Sequence, residues 1–97
     1  MSTQPCPDGY TVILSPQFHR RAEKFLRHRH ELRPRFTQVI AALTHDPFLP
    51  TLDLHAMHFA AGLYAVSLTY SYRLLLRIEG RTVVLTAIGA HERVYRS

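Results

Sequence analysis

The sequence predicts an α+β fold in which an antiparallel-rich sheet is covered on one face by a helical hairpin. Apolar residues recur at helical spacing in the first half of the chain and alternate with period two in the second half. A β-branched apolar run from Thr82 to Ile88 is long enough for one central strand. With a short β-rich run at Tyr10–Leu14, the predicted order is β-α-α-β-β-β. We expect a flexible leader at residues 1–9 and one domain at 10–97.

Two amphipathic helices are expected to form the hairpin. Ser15-Pro16 has the pattern of an N-cap followed by proline at the first helical position, and this helix should end near His30. Pro34 opens the second helix and Asp46-Pro47 ends it. The residues expected to be buried between the hairpin and the sheet are Phe18, Phe25, Phe36, Ile40, Val66, Leu74 and Leu76.

The second half of the chain predicts the remaining strands. The stretch from Leu52 to Phe59 is interpreted as a short extra strand or an extended connection, and regular alternation begins at Leu63. Glu79-Gly80 is a turn signal before the last strand. We expect Gly89 to break that strand, so that the polar tail is placed at the end of the sheet.

The charge indicates the class of partner. Twelve Lys and Arg against seven Asp and Glu give a net charge of +5, and eleven of the twelve basic residues are arginine. Arginine suits bidentate contacts to phosphate, so nucleic acid or an acidic protein is the expected partner, with a generic basic surface as the alternative. A single cysteine, Cys6, fits a reducing cytoplasm, and the lack of an apolar run of 18 residues argues against a membrane partner.

Candidate functional side chains lie on one strand and in the tail. Arg73 and Arg77 are four residues apart on an alternating strand, so they should share the helix-free face, roughly 13 Å apart, with a solubilising role as the alternative. His91 could act as an acid or base, and Tyr95 could stack on a base or donate a proton. A surface histidine and a core tyrosine are the alternatives. No metal site or cofactor is expected, because the histidines have no tight cluster of partners.

Two segments carry a resemblance to a known family. Residues 62–78, GLYAVSLTYSYRLLLRI, followed by residues 88–96, IGAHERVYR, resemble the RelE/ParE superfamily, the toxins of type II toxin–antitoxin systems, close to its RelE/StbE branch. The leading strand and the helical hairpin agree with the same fold, so the resemblance covers about residues 10–96.

The resemblance implies a cytoplasmic, ribosome-dependent mRNA endoribonuclease, an mRNA interferase that inhibits translation. Its implied partners are a cognate antitoxin protein, the ribosome and mRNA, with a toxin–antitoxin hetero-oligomer as the expected assembly. Carried over by motif, Arg73 stabilises charge on the phosphate, His91 is the acid/base group, and Tyr95 stacks on or orients the nucleotide. Further RNA contacts are then assigned to Arg77, Arg81 and Arg93.

One departure from the family pattern keeps two other functions open. Many relatives place Lys or Arg on the strand where this chain has Ala65 and Ser67. This difference favours a ParE-like toxin that acts on DNA gyrase without nuclease chemistry, or a degenerate member that only binds its antitoxin. His91 and Tyr95 favour the nuclease.

Overall fold

The computed structural model describes residues 9–58 and 60–90, which form two helices and a five-stranded sheet. In chain order the elements are β1 (Thr11–Leu14), α1 (Pro16–Arg27), α2 (Arg33–His45), β2 (His55–Ala56), β3 (Leu63–Ser67), β4 (Tyr72–Glu79) and β5 (Thr82–Ala90), with short 3-10 turns at His30–Leu32 and Pro50–Leu52. The strand order is β1-β5-β4-β3-β2. The β1–β5 pair is parallel and the other pairs are antiparallel. The predicted fold class is confirmed, and β2 is the short extra strand.

The helices begin and end close to the predicted residues. The backbone N–H of Phe18 donates to Ser15 Oγ at 3.1 Å, so Ser15 is the N-cap of α1 and Pro16 is its first residue. α1 ends at Arg27, a few residues before the expected His30, because the chain passes into a 3-10 turn there. α2 ends where Asp46 adopts an extended conformation before Pro47.

The main core lies between the helical hairpin and one face of the sheet. Its buried members are Phe18, Ala22, Val39, Leu43, Leu52, Val66, Leu68, Leu74, Leu76, Val83 and Leu85. Four of the seven predicted core residues are therefore buried. Phe25, Phe36 and Ile40 are partly buried and pack against the same cluster.

The helix-free face of the sheet differs from the expectation at its centre. Leu63, Ala65 and Leu75 are buried there, and Met57 and Ala60 from the segment between β2 and β3 pack over them. The face that carries Arg73 and Arg77 is therefore apolar and covered at its centre. The apolar side chains of β3 and β4 make a patch that would otherwise be exposed to water, so the chain folds back across it.

The prediction that Gly89 breaks the last strand is also wrong. β5 continues through Gly89, which pairs with Arg73, to Ala90, which pairs with Tyr72. The ladder is made by backbone groups that glycine retains, so its pairing with β4 continues through this position despite the low β propensity of glycine. The central position of β5, between β1 and β4, agrees with the prediction.

A register shift between Leu75 and Leu76 leaves an extra residue, Thr86, on β5. This β-bulge lets Leu76 pair with Leu85 while Leu75 pairs with Ala87. Alternation along β4 is kept, so Leu74 and Leu76 face the hairpin and Leu75 faces the other side.

The predicted leader, residues 1–9, lies almost wholly outside the described residues. Gly9 is the exception: it is buried, and its carbonyl accepts a hydrogen bond from Arg81 Nη1 at 3.3 Å. In the part of the chain that the structure describes, neither helix has the length and apolar character needed to cross a bilayer.

Candidate functional site

Two polar side chains and a glycine, from three neighbouring strands, lie at one end of the helix-free face. Ser67 on β3 pairs with Arg73 on β4, and Arg73 pairs with Gly89 on β5. Residues directly opposite each other in a sheet share a face, so these positions form a row across the sheet. The row lies at the end of β5, whose last residue is Ala90.

Arg73 holds the turn that joins β3 to β4. Its Nη1 donates to the carbonyls of Thr69 at 2.8 Å, Tyr70 at 3.2 Å and Tyr72 at 3.3 Å. Its Nε is buried and, within the described residues, has no hydrogen-bond acceptor. A buried donor that stays unpaired costs about 1–3 kcal/mol.

A second arginine binds the same β3–β4 turn, residues 68–71, from the helical layer. Arg35 on α2 donates from Nε to the carbonyl of Leu68 at 2.9 Å. The turn is closed further by the backbone N–H of Leu68, which donates to the carbonyl of Tyr72 at 2.9 Å. The turn backbone is therefore fixed from two directions, while the Tyr70 side chain is 95% exposed.

A third arginine lies beside the start of β4. Arg29 Nε donates to the Tyr72 hydroxyl at 3.3 Å, and its Nη1 donates to the carbonyl of Phe25 at 3.0 Å. Its guanidinium also lies 4.3 Å from the Phe25 ring centroid and 5.4 Å from that of Tyr72. This contact ties the end of α1 to the strand that carries Arg73.

The edge strand β2 adds an imidazole to the helix-free face. His55 pairs with Ala65, so the two residues share that face. His55 Nδ1 lies 2.9 Å from the carbonyl of Asp53, and a carbonyl can only accept, so this contact needs a proton on Nδ1. By sheet spacing, the Cα atoms of His55 and Arg73 are about 12 Å apart.

The local electrostatics are positive. Among the residues that the structure describes, the ion pair found is between Arg33 and Glu23, at 3.5 Å on the surface. Arg29, Arg35 and Arg73 thus bind carbonyls and rings but no carboxylate in that part of the chain. One acid does lie nearby: Asp53 accepts from Ser67 Oγ at 3.4 Å and lines, with Arg35 and Arg73, an open cleft of about 680 Å³.

The other predicted RNA-binding arginines are spread along the sheet. Arg77 is exposed and has the same facing on β4 as Arg73. Arg81 lies in the β4–β5 turn at the opposite end, roughly 26 Å from Ala90 by the rise of β5. Its guanidinium donates to Gly9 and lies 5.3 Å from the Tyr10 ring centroid. The structure therefore does not bring Arg81 together with Arg73.

The three site residues predicted in the tail, His91, Arg93 and Tyr95, lie outside the residues that the structure describes. Their roles stay predictions. The described part does place the position that precedes them: Ala90 pairs with Tyr72, beside Arg73.

Sequence reasoning missed Arg29, Arg35 and the role of the β3–β4 turn. Both arginines lie in the helical half of the chain, far in sequence from the residues that they contact. A signal was available in Thr69-Tyr-Ser-Tyr72, where an aromatic residue follows the alternating stretch that begins at Leu63 and precedes the one that carries Arg73. Over residues 9–58 and 60–90, no three His, Cys, Asp or Glu side chains are grouped so that they could hold a metal ion.

Comparison with solved structures finds the same fold in several bacterial proteins, toxins among them. The chain superposes on the E. coli DinJ-YafQ toxin-antitoxin complex with a TM-score of 0.73 and 13% identity, covering 89% of this chain and 97% of that chain. The YoeB/ParE toxin from Agrobacterium tumefaciens gives a TM-score of 0.69 and 14% identity, covering 84% and 98%. The YoeB-YefM complex from Staphylococcus aureus gives 0.67 and 11% identity, covering 84% and 97%.

By sequence, the chain matches no protein-family model and no curated protein. The structural neighbours are RelE/ParE-like toxins, two of them solved in complexes with a second protein. The fold implied by the sequence resemblance is thereby confirmed. At identities of 11% to 14%, the likeness establishes the fold and leaves the activity to the site residues.

Proposed function

We propose that this protein is the toxin of a type II toxin–antitoxin system, that a cognate antitoxin protein neutralises it, and that it cleaves mRNA on the ribosome. The fold likeness to toxins in antitoxin complexes supports the first part. The observation that carries the nuclease is the position of Arg73, whose strand partner Gly89 is two residues before His91 in the sequence.

The reaction we propose is an internal transfer at phosphorus. The ribose 2′-oxygen loses its proton to a base and attacks the adjacent phosphorus, and the 5′-oxygen leaves after it accepts a proton from an acid. The products are a 2′,3′-cyclic phosphate and a 5′-hydroxyl end. The pentacoordinate intermediate carries more negative charge than the starting phosphodiester. A fixed guanidinium such as Arg73 therefore stabilises the intermediate more than it stabilises the substrate.

Two histidines are proposed to carry the proton transfers. His91 is the acid/base group implied by the resemblance. His55 is proposed as the second group, because it shares the helix-free face with Arg73 and its Nδ1 contact to the Asp53 carbonyl orients the ring. An in-line displacement needs its base and acid on opposite sides of phosphorus, so the proposal requires the two histidines to reach the phosphate from opposite sides.

The remaining predicted residues are assigned to RNA placement. Tyr95 is proposed to stack on or orient a nucleotide, and Arg77 and Arg93 to contact neighbouring phosphates. Arg81 could contact only a distant part of the RNA, because it lies at the other end of the sheet. These contacts would hold the substrate in register over Arg73.

Primer extension on an mRNA undergoing translation tests this function. His91→Ala should lower the cleavage rate by about 10²–10⁴-fold and Arg73→Ala by about 10²–10³-fold, since each removes one group that acts in the transition state. Arg20→Ala, an exposed arginine on α1, is the matched control and should cleave normally. Undiminished growth arrest by the His91→Ala, Arg73→Ala double variant would show that these residues do not carry the chemistry.

A second candidate is a toxin without nuclease chemistry, either ParE-like and directed at DNA gyrase or limited to antitoxin binding. Arg73 donates to the carbonyls of Thr69 and Tyr70 in the turn and of Tyr72 in β4, and Ala65 is fully buried where many relatives of the family carry a basic residue, which favours this alternative. Inhibition of supercoiling by purified gyrase, with no cleavage of translated mRNA, would identify it.

A further inference from the structure

The β3–β4 turn combines a rigid backbone with an exposed aromatic side chain. Tyr70 is 95% exposed, against 55% for Phe48 and 44% for Ile13, the other exposed large apolar residues of the described chain. The turn around it is ordered by hydrogen bonds, including one from the backbone N–H of Ser71 to Thr69 Oγ1 at 3.3 Å. A ring that covers no core on a fixed backbone is suited to contact another molecule.

Two arginines contact the backbone of the turn that carries this ring. Arg73 donates to the Tyr70 carbonyl itself, and Arg35 donates to Leu68 two residues before it. The cleft beside the turn is lined by both arginines and by Ser67 and Thr69, with Asp53 as the acid that faces it. A site for single-stranded nucleic acid has two components, cations that attract the phosphates and an aromatic ring that stacks on a base. Both are present at this turn.

We propose that the β3–β4 turn is a second RNA contact, in which the Tyr70 ring stacks on an unpaired base of single-stranded RNA while Arg35 and Arg73 attract the phosphates beside it. This inference rests on the proposed function in that both use RNA as the ligand. It goes beyond that function because it assigns a stacking residue outside the catalytic set. The exposed Tyr70 ring favours RNA over an acidic peptide. The cations of the cleft would attract either ligand, but RNA also has bases that stack on the ring.

Fluorescence anisotropy with a labelled single-stranded RNA of about ten nucleotides, without ribosomes, tests the turn directly. Tyr70→Ala should weaken binding by roughly 5- to 150-fold, the range of one lost base–aromatic stack. Tyr70→Phe keeps the ring and should stay within about twofold of the wild type. Phe48→Ala removes an exposed aromatic residue from the loop after α2, next to Tyr10, and should leave binding unchanged.

The salt dependence separates stacking from charge. Tyr70→Ala should leave the slope of log K against log salt unchanged, whereas Arg35→Gln should reduce it by about 0.7, the value for one phosphate contact on a single strand. Equal RNA affinity of Tyr70→Ala and the wild type would overturn the proposal, as would a loss of antitoxin affinity with no loss of RNA affinity. Binding that depends on Tyr70 in a protein that fails to cleave mRNA would support the contact and refute only the nuclease.

Discussion

Arginine serves two purposes at the single-residue scale in this protein. Arg29, Arg35 and Arg73 each donate to main-chain carbonyls, so their side chains act as structural ties at the end of the sheet. Because those carbonyls carry no formal charge, they do not neutralise the arginines. The second purpose is therefore electrostatic, since each side chain keeps a positive charge that can attract an anion. Lysine could not reproduce this arrangement, because a guanidinium has several donors in a fixed plane and an ammonium does not.

The core makes a prediction at the same scale. Leu74 is fully buried between the hairpin and the sheet, so Leu74→Ala should lower the free energy of unfolding by about 2–5 kcal/mol, the sum of the lost transfer energy and the cavity. Urea unfolding measures this change. Tyr70→Ala is the exposed control and should shift stability by less than about 0.5 kcal/mol. A loss below about 0.5 kcal/mol for Leu74→Ala would contradict the assigned facing of β4.

At the scale of elements, α1 offers a test of how its start is specified. Ser15 has an extended backbone, with φ −63° and ψ 156°, and its Oγ accepts from the Phe18 N–H. Ser15→Ala leaves that donor without its partner and should cost about 1 kcal/mol of unfolding free energy, while Ser15→Asp should keep the cap. Equal stability of the Ala and Asp variants in thermal or urea unfolding would show that Pro16 alone sets the helix start.

The segment between β2 and β3 is the element that most changes the expected surface. It packs Met57 and Ala60 over Leu63, Ala65 and Leu75, and so divides the helix-free face into a covered centre and a polar end. Arg73 lies at that end and Arg77 lies beyond the covered centre on the same strand. RNA that contacts both arginines would therefore pass along the edge of this cover.

The whole molecule carries a formal charge of +5, and this sets an expectation for the proposed antitoxin. Binding of an acidic antitoxin segment should weaken as salt rises, because exposed charges are screened over about 10 Å at 0.1 M ionic strength. Titration calorimetry or anisotropy of the cognate pair, from about 0.05 to about 0.5 M salt, measures how the affinity changes with salt. An affinity independent of salt would mean that apolar contacts dominate that interface.

The order of elements could be predicted because its signals are local. Ser15-Pro16 and Asp46-Pro47 act through the geometry of adjacent residues, and the alternation from Leu63 onward follows from the pleat of a strand. The α+β class, the helical hairpin and the central β5 follow from these patterns together. The shared facing of Arg73 and Arg77 follows from the same period of two.

Tertiary structure decided the features that depend on distant residues. The Arg35 contact to Leu68 spans 33 positions and the Arg29 contact to Tyr72 spans 43, so no local pattern marks them. The continuation of β5 through Gly89 and the covering of Ala65 likewise depend on which strands and loops become neighbours. Residue type and the spacing of apolar residues can be read from the sequence itself. A hydrogen bond between an arginine and a distant carbonyl forms only when packing brings the two groups together.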